Sequence, residues 1–188
     1  MNGPTPRYHI LRSIWLVATF RKDGVRQFQS TRDAYLASLA PIAALVLVAG
    51  IGLAARFGLL FSIRVVLLMA SGILGPQVVS HFYASLIGRE RLWLGYSVVF
   101  NWSQWAIPLF GMITLLAMGM LTAFGFPEAT ASSIARIGIA GYALALYVFI
   151  TKHGLDISML GSVLFIIAVN VTCSVLLIAP SLFEGTLD

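Results

Sequence analysis

The chain has 188 residues, of which 59% are hydrophobic and only 10% charged, against roughly 25% charged residues in an average soluble domain. With a mean hydropathy of +0.93, it carries more apolar surface than a soluble core of this size can hide. Runs of about 20 apolar residues mark membrane helices, and the runs here do not alternate as barrel strands would, so the expected fold class is all-α, a polytopic membrane helix bundle.

In chain order, residues 1–33 read as a cytoplasmic interfacial amphipathic segment. Arg12, Arg21 and Lys22 interrupt its apolar positions, which excludes a secretory leader. Ile10, Leu11, Ile14, Trp15 and Ala18 recur at helical spacing, with Arg12 and Ser13 off that stripe. Such a helix lies in the membrane interface with its basic residues near lipid phosphates. Arg21-Lys22-Asp23-Gly24 reads as its turn and exit.

Residues 34–180 form the expected five-helix transmembrane domain, followed by a short external tail at 181–188. The spans are placed at Ala34–Ala55, Phe57–Leu86, Leu92–Phe124, Ser133–Thr151 and Met159–Pro180. The second is overlong and carries Gly75-Pro76, which predicts a kink. The third is overlong too, with Pro108 inside it. Either could conceal a surface-lying segment, which leaves four or six spans as alternatives.

The charges favour five. One side then receives Arg7, Arg12, Arg21, Lys22, Arg26, Arg32, Arg89, Arg91 and Lys152, nine of the twelve Lys and Arg residues. The other receives Arg56 and Arg136 with Glu128, Glu184 and Asp188, while Arg64 falls within a span. The positive-inside rule places the N-terminus in the cytoplasm and the C-terminus outside. The net charge of +5 is thus an orientation signal, and no nucleic-acid partner is expected.

No catalytic, cofactor or metal site is legible. There is no Gly-rich nucleotide loop and no His-Glu-x-x-His helix. The single Cys173 excludes an intramolecular disulfide and a cysteine zinc cluster. His9 and His153 fall near the cytoplasmic face; His81 lies in a span without a second acid, base or ligand at its depth. No Asp or Glu sits deep in any span, which argues against a proton-driven carrier and leaves uniport, lipid traffic or a channel open.

One polar constellation stands out, centred on the stretch NWSQWAIP at 101–108. Ser97, Asn101, Gln104 and Trp105 share one helix face, and so do Gln77, His81 and Ser85 in the preceding span. The short connection at Arg89-Glu90-Arg91 makes the two helices antiparallel neighbours. Gln77 and Asn101 lie at similar depth, so the faces can meet. Gln77, His81, Asn101 and Gln104 are therefore candidates for interhelical hydrogen bonds or for a small polar cavity open to the cytoplasm. Arg64 and Arg136, near the outer interface, can snorkel or share an outer-leaflet phosphate. Arg21 and Lys22 are candidate lipid contacts on the inner side. Asn170 reads as interhelical glue, and Gly50, Gly52, Gly72, Gly75, Gly138 and Gly141 as points of close helix approach.

A family pattern also emerges. Thr19-Phe20-Arg21-Lys22-Asp23-Gly24 and Phe28-Gln29-Ser30-Thr31 precede the first span, and Gly88-Arg89-Glu90-Arg91, Tyr96 and Asn101-Trp102 follow later. This resembles the Yip-like (Ypt-interacting-protein-like) five-span membrane proteins, in particular a proteobacterial branch with a G-R-x-x-R…Y-N-W arrangement. The chain departs from that arrangement in having Phe100 before Asn-Trp and only Glu90 between the two arginines. The resemblance implies a five-helix bundle in a bacterial inner membrane. Eukaryotic relatives are associated with small GTPases and vesicle traffic, and no GTPase-binding motif carries over. The expected function is a non-catalytic accessory or scaffolding subunit of a larger inner-membrane complex, or a Yip-like membrane organiser. Its partners would be membrane lipids and a larger membrane protein or further copies of the chain. The alternative is a small transport or lipid-handling protein that uses a polar cavity between helices two and three.

Overall fold

The computed structural model describes residues 7–184, with side chains from 10 to 178. Within them the chain forms eight helices and no strand: α1 (Arg7–Ala18), α2 (Lys22–Arg26), α3 (Arg32–Phe57), α4 (Leu59–Leu86), α5 (Glu90–Ser103), α6 (Ala106–Ala123), α7 (Glu128–Gly154) and α8 (Met159–Glu184). Five segments are long and apolar enough to cross a membrane: α3, α4, α5 with α6, α7 and α8. The protein is thus an all-α, multi-pass membrane bundle. Helix α8 continues through 181–184, where the external tail was expected. Residues 185–188 of that tail lie outside the described residues.

Local chemistry sets the helix ends. Thr31 caps α3 by accepting a hydrogen bond from the Ala34 N–H at 3.2 Å. A single residue, Gly58 at φ +88°, joins α3 to α4 and supplies the left-handed turn that a Cβ would strain. Helix α4 runs uninterrupted through Gly75-Pro76. It ends in a Schellman turn, the Arg89 and Gly88 N–H groups donating to the carbonyls of Ala84 and Ser85 at 2.7 and 3.0 Å. The same device, with Gly125, closes α6 before Pro127 starts α7.

The third span is two helices, broken at Gln104-Trp105 rather than at Pro108. Pro108 has no N–H to donate, and the carbonyl it leaves orphaned one turn earlier is that of Gln104. The Ile107 N–H takes that carbonyl at 3.3 Å in a tighter turn.

The expected interfacial helix is a helical hairpin. Helix α1 ends in a left-handed residue, Phe20 at φ +58°, and α2 folds back along it. Lys22, Asp23 and Gly24 therefore lie within α2 and do not form an exit. A Cβ on Gly24 would stand 2.8 Å from the Val17 backbone nitrogen, so only glycine permits this contact. Leu11 and Trp15, 73% and 63% exposed, point away from the protein, while Ser13 and Val17 are buried. The Phe20 ring meets Tyr142 and Phe149 edge-on, and the Tyr142 hydroxyl donates to the Ala18 carbonyl at 3.0 Å. The hairpin is thereby fastened to α7.

Helix α5 is the central element, packed on α1, α3, α4 and α7. Tyr96, Ser97, Val98, Val99, Asn101 and Ser103 are all buried along it, whereas α6 buries only Ala106. The core gathers Val17, Ala84, Tyr96, Val99, Leu146, Ile150, Leu155 and Phe165. These residues lie towards the end that holds the α1–α2 hairpin and the α4–α5 and α7–α8 turns, here called the basic end. Two pairs of helices form arms, which α8 joins by packing on both α4 and α7. Helix α3 packs on α4, and α6 on α7, with no close packing of α6 on α3 or α4. Within the first arm the Ser62 hydroxyl donates to the Gly50 carbonyl at 2.6 Å. Of the six glycines expected at close helix approaches, Gly50 alone meets a neighbouring helix, at Val66; a Cβ on Gly52, Gly72, Gly75, Gly138 or Gly141 would meet nothing within 4 Å.

Candidate functional site

Of the two polar faces, Gln77 and Asn101 meet as the sequence placed them. Gln77 Nε2 on α4 donates to Asn101 Oδ1 on α5 at 2.6 Å, and both residues are buried. A residue the sequence reading missed completes the link: Asn101 Nδ2 donates to Ser38 Oγ on α3 at 2.9 Å. Ser38 in turn donates to the Tyr35 carbonyl at 2.6 Å. One asparagine thus ties three helices. At 1.5 Å per residue Asn101 lies about 16 Å along α5 from Glu90, near mid-bilayer for a hydrocarbon core about 30 Å thick.

His81 does not join this group. Its ring packs edge-on against Trp93 at 4.7 Å, and Nε2 lies 3.7 Å from Glu90 Oε1 at the α4–α5 turn. Ser80 takes its place on the inner face, accepting from Trp93 Nε1 at 3.0 Å and donating to the Gln77 carbonyl at 3.0 Å. Ser85 is exposed and bonded within its own helix. Gln104, at the α5–α6 break, faces α7, where its Oε1 accepts from the Tyr147 hydroxyl at 3.1 Å. Asn170 is no interhelical bridge, since its Nδ2 donates to the Ile166 carbonyl of its own helix at 2.8 Å.

Gln77, Asn101, Gln104, Tyr147 and Asn170 all line a cavity of about 480 Å³, walled further by Ile42, Leu45, Gly72, Pro76, Trp105, Pro108 and Val169. At the basic end its lining is buried: Ser80, Tyr96, Phe165 and Ile166 close the floor. The exposed lining residues, Leu45, Gly72, Trp105, Pro108 and Asn170, lie further along the helices. The cavity therefore opens away from the basic end, between the two arms, and not through the basic end as the sequence reading expected. The α5–α6 break borders the space, since Gln104, Trp105 and Pro108 around it all line the cavity.

The lining carries no acidic or basic side chain. Among the described residues no three His, Cys, Asp or Glu side chains come together. Three amide atoms on the lining make no hydrogen bond: Gln77 Oε1, Gln104 Nε2 and Asn170 Oδ1. In hydrocarbon an unpartnered amide group costs several kcal/mol, on the order of 2–7.

The cationic candidates disperse. Arg64 and Arg136 are exposed on α4 and α7, two helices that do not pack closely together, so they share no site; the Arg136 guanidinium reaches only Ser133 Oγ, at 3.4 Å. Arg21 and Lys22 are exposed at the α1–α2 turn. Helix α2 packs on the end of α7, which brings Lys22 and Arg26 within electrostatic reach of His153 beside Lys152.

Comparison with known protein families, curated proteins and solved structures finds no match for this chain.

Proposed function

We propose that this is a non-catalytic membrane protein that holds a small amphipathic molecule, drawn from the bilayer, in the cavity beside Gln77 and Asn101. The observation that carries this reading is the cavity itself: about 480 Å³ of space at mid-bundle, apolar on its walls, with amide atoms left without partners on its lining. Sites for small molecules combine these features, a mostly apolar concavity with a few convergent polar groups. The absence of any charged side chain from the lining favours binding or carriage over acid–base chemistry. The reading follows the lipid-handling alternative from the sequence, with the cavity opening moved to the far end. Orientation rests on the positive-inside rule, with the basic end in the cytoplasm of a bacterium and the cavity facing the outer leaflet of its inner membrane. Membership of the Yip-like group rests on the residues quoted for it.

Purification from the native membrane in a gentle detergent, with mass spectrometry of what stays bound, tests the proposal. Gly72→Phe is the matched variant. Gly72 lines the cavity, and a Cβ there meets nothing within 4 Å, so a ring can be added at the cavity wall without a clash at the Cβ. The expected result is a small apolar molecule on the native protein that is lost from Gly72→Phe at unchanged thermal stability. A native protein that carries no such molecule and instead co-purifies with a stoichiometric larger partner refutes the cavity reading and restores the accessory-subunit one.

A further inference from the structure

The hydrogen bonds of Gln77, Asn101 and Asn170 have a fixed direction, and the direction selects a ligand. Ser38 has one hydroxyl hydrogen, and it goes to the Tyr35 carbonyl. Towards Asn101 the serine can therefore only accept, so Asn101 must present its NH₂ to Ser38 and its oxygen to Gln77. Gln77 must then donate, and its oxygen is what remains for the cavity. The same reasoning fixes Asn170. Its NH₂ is held by a backbone carbonyl, so its oxygen also remains. At the α5–α6 break the Gln104 oxygen accepts from Tyr147, which leaves its NH₂. The lining thus offers two amide oxygens and one whole amide NH₂ that make no hydrogen bond, and no charge.

We infer that the cavity selects an uncharged hydrogen-bonding head, a hydroxyl above all, on a long apolar body. This rests on the proposed cavity-binding function and narrows it. A hydroxyl donates to Gln77 Oε1 or Asn170 Oδ1 and accepts from Gln104 Nε2, which satisfies atoms that hydrocarbon leaves bare. A carboxylate or phosphate has no donor for the two oxygens and no cation to neutralise it, and transfer of an unpaired charge into such a site is strongly unfavourable. An alkane fills the walls and leaves every amide atom unpartnered.

Trp105 lines the cavity and serves as a built-in reporter. Purified full-length protein in detergent micelles is titrated with three brominated quenchers of equal chain length: a long-chain alcohol, the matching carboxylate at pH 8 and the matching alkane. The quenching of interest saturates, is reversed by the unbrominated alcohol and disappears in Trp105→Phe. The alcohol is expected to bind about tenfold tighter than the alkane, the worth of one to two hydrogen bonds in lipid, with the carboxylate weakest. Gln77→Leu is expected to remove the preference for the alcohol. Because Gln77 also ties α4 to α5, Asn170→Leu is the second variant; it leaves the interhelical bonds intact and is expected to reduce the preference several-fold. An alkane that binds as well as the alcohol, or a carboxylate that binds best, overturns the inferred selectivity while the cavity still binds. If none of the three quenches saturably, the cavity-binding function falls with it.

Discussion

Asn101 is the most informative residue to perturb in the bundle. Replacement by Leu removes two buried hydrogen bonds, to Gln77 and Ser38 at 2.6 and 2.9 Å. Interhelical hydrogen bonds within membranes contribute about 0.6–2 kcal/mol each. The change also strands the Gln77 NH₂ in a buried position, adding about 1 kcal/mol or more. The expected loss is about 2–4 kcal/mol in all. Gln77→Leu removes one of the two bonds and is expected to cost about 1–2 kcal/mol. The double variant should cost less than the sum, with a coupling of about 1 kcal/mol, since the bond between the two residues can be lost only once. Reversible unfolding by titration of a denaturing detergent into mixed micelles measures all four proteins of the cycle. Ser85→Leu is the control. It lies on the face the sequence assigned to Gln77 yet is exposed and bonded to its own helix, so its cost should stay below about 0.5 kcal/mol. A coupling under about 0.3 kcal/mol between Gln77 and Asn101 would refute the reasoning, because independent sites add to within that margin.

Other expectations follow from helix ends and close contacts. Gly24→Ala places a methyl against the Val17 backbone and should release the α1–α2 hairpin, seen as faster proteolysis between residues 18 and 32 while the bundle stays folded. Ser158 caps α8 through the Gly161 N–H at 3.0 Å; Ser158→Ala should cost about 1 kcal/mol in the same unfolding assay. Asp156 sits at φ +52°, where glycine is the relaxed choice, so Asp156→Gly should be neutral or stabilising by a few tenths of a kcal/mol. Phe20 shares that backbone conformation, but its ring packs on Tyr142 and Phe149. Phe20→Gly should therefore destabilise the hairpin, despite the easier turn, and raise the proteolysis rate at the same sites.

The sequence made the meeting of Gln77 and Asn101 legible because a short antiparallel connection fixes depth, and residue counting then aligns the partners. It misled at His81 because a helix repeat of 3.6 makes i+3 and i+4 near-equivalent on paper. The inner face of α4 follows Gln77, Ser80 and Ala84, and the fourth-residue neighbour rotates outwards to Trp93 and Glu90. Ser38 escaped notice because a lone serine in an apolar run has no periodic signal. The glycine reading held only at Gly50 for a related reason: small size permits close approach but does not say which side a neighbour lies on. The α1–α2 hairpin was hidden because α2, at five residues, is too short to show a repeat. The α5–α6 break appeared one turn ahead of Pro108, as the orphaned carbonyl requires.

The uneven distribution of burial along the third span also sets a time scale. Helix α5 is anchored on four sides by buried residues, while α6 buries only Ala106 and leans on α7. Hydrogen-bonded segments with few buried contacts open at a free energy far below that of global unfolding. On the proposed function, passage into and out of the cavity is expected to follow movement of α6, with the Tyr96–Leu146–Phe165 core intact. Residence time should therefore track changes on α6, and remain constant when the core is weakened enough to lower the unfolding midpoint. On the proposed function, the break at Gln104-Trp105 divides one membrane crossing into a half that determines how long the protein lasts and a half that determines how long a bound molecule stays.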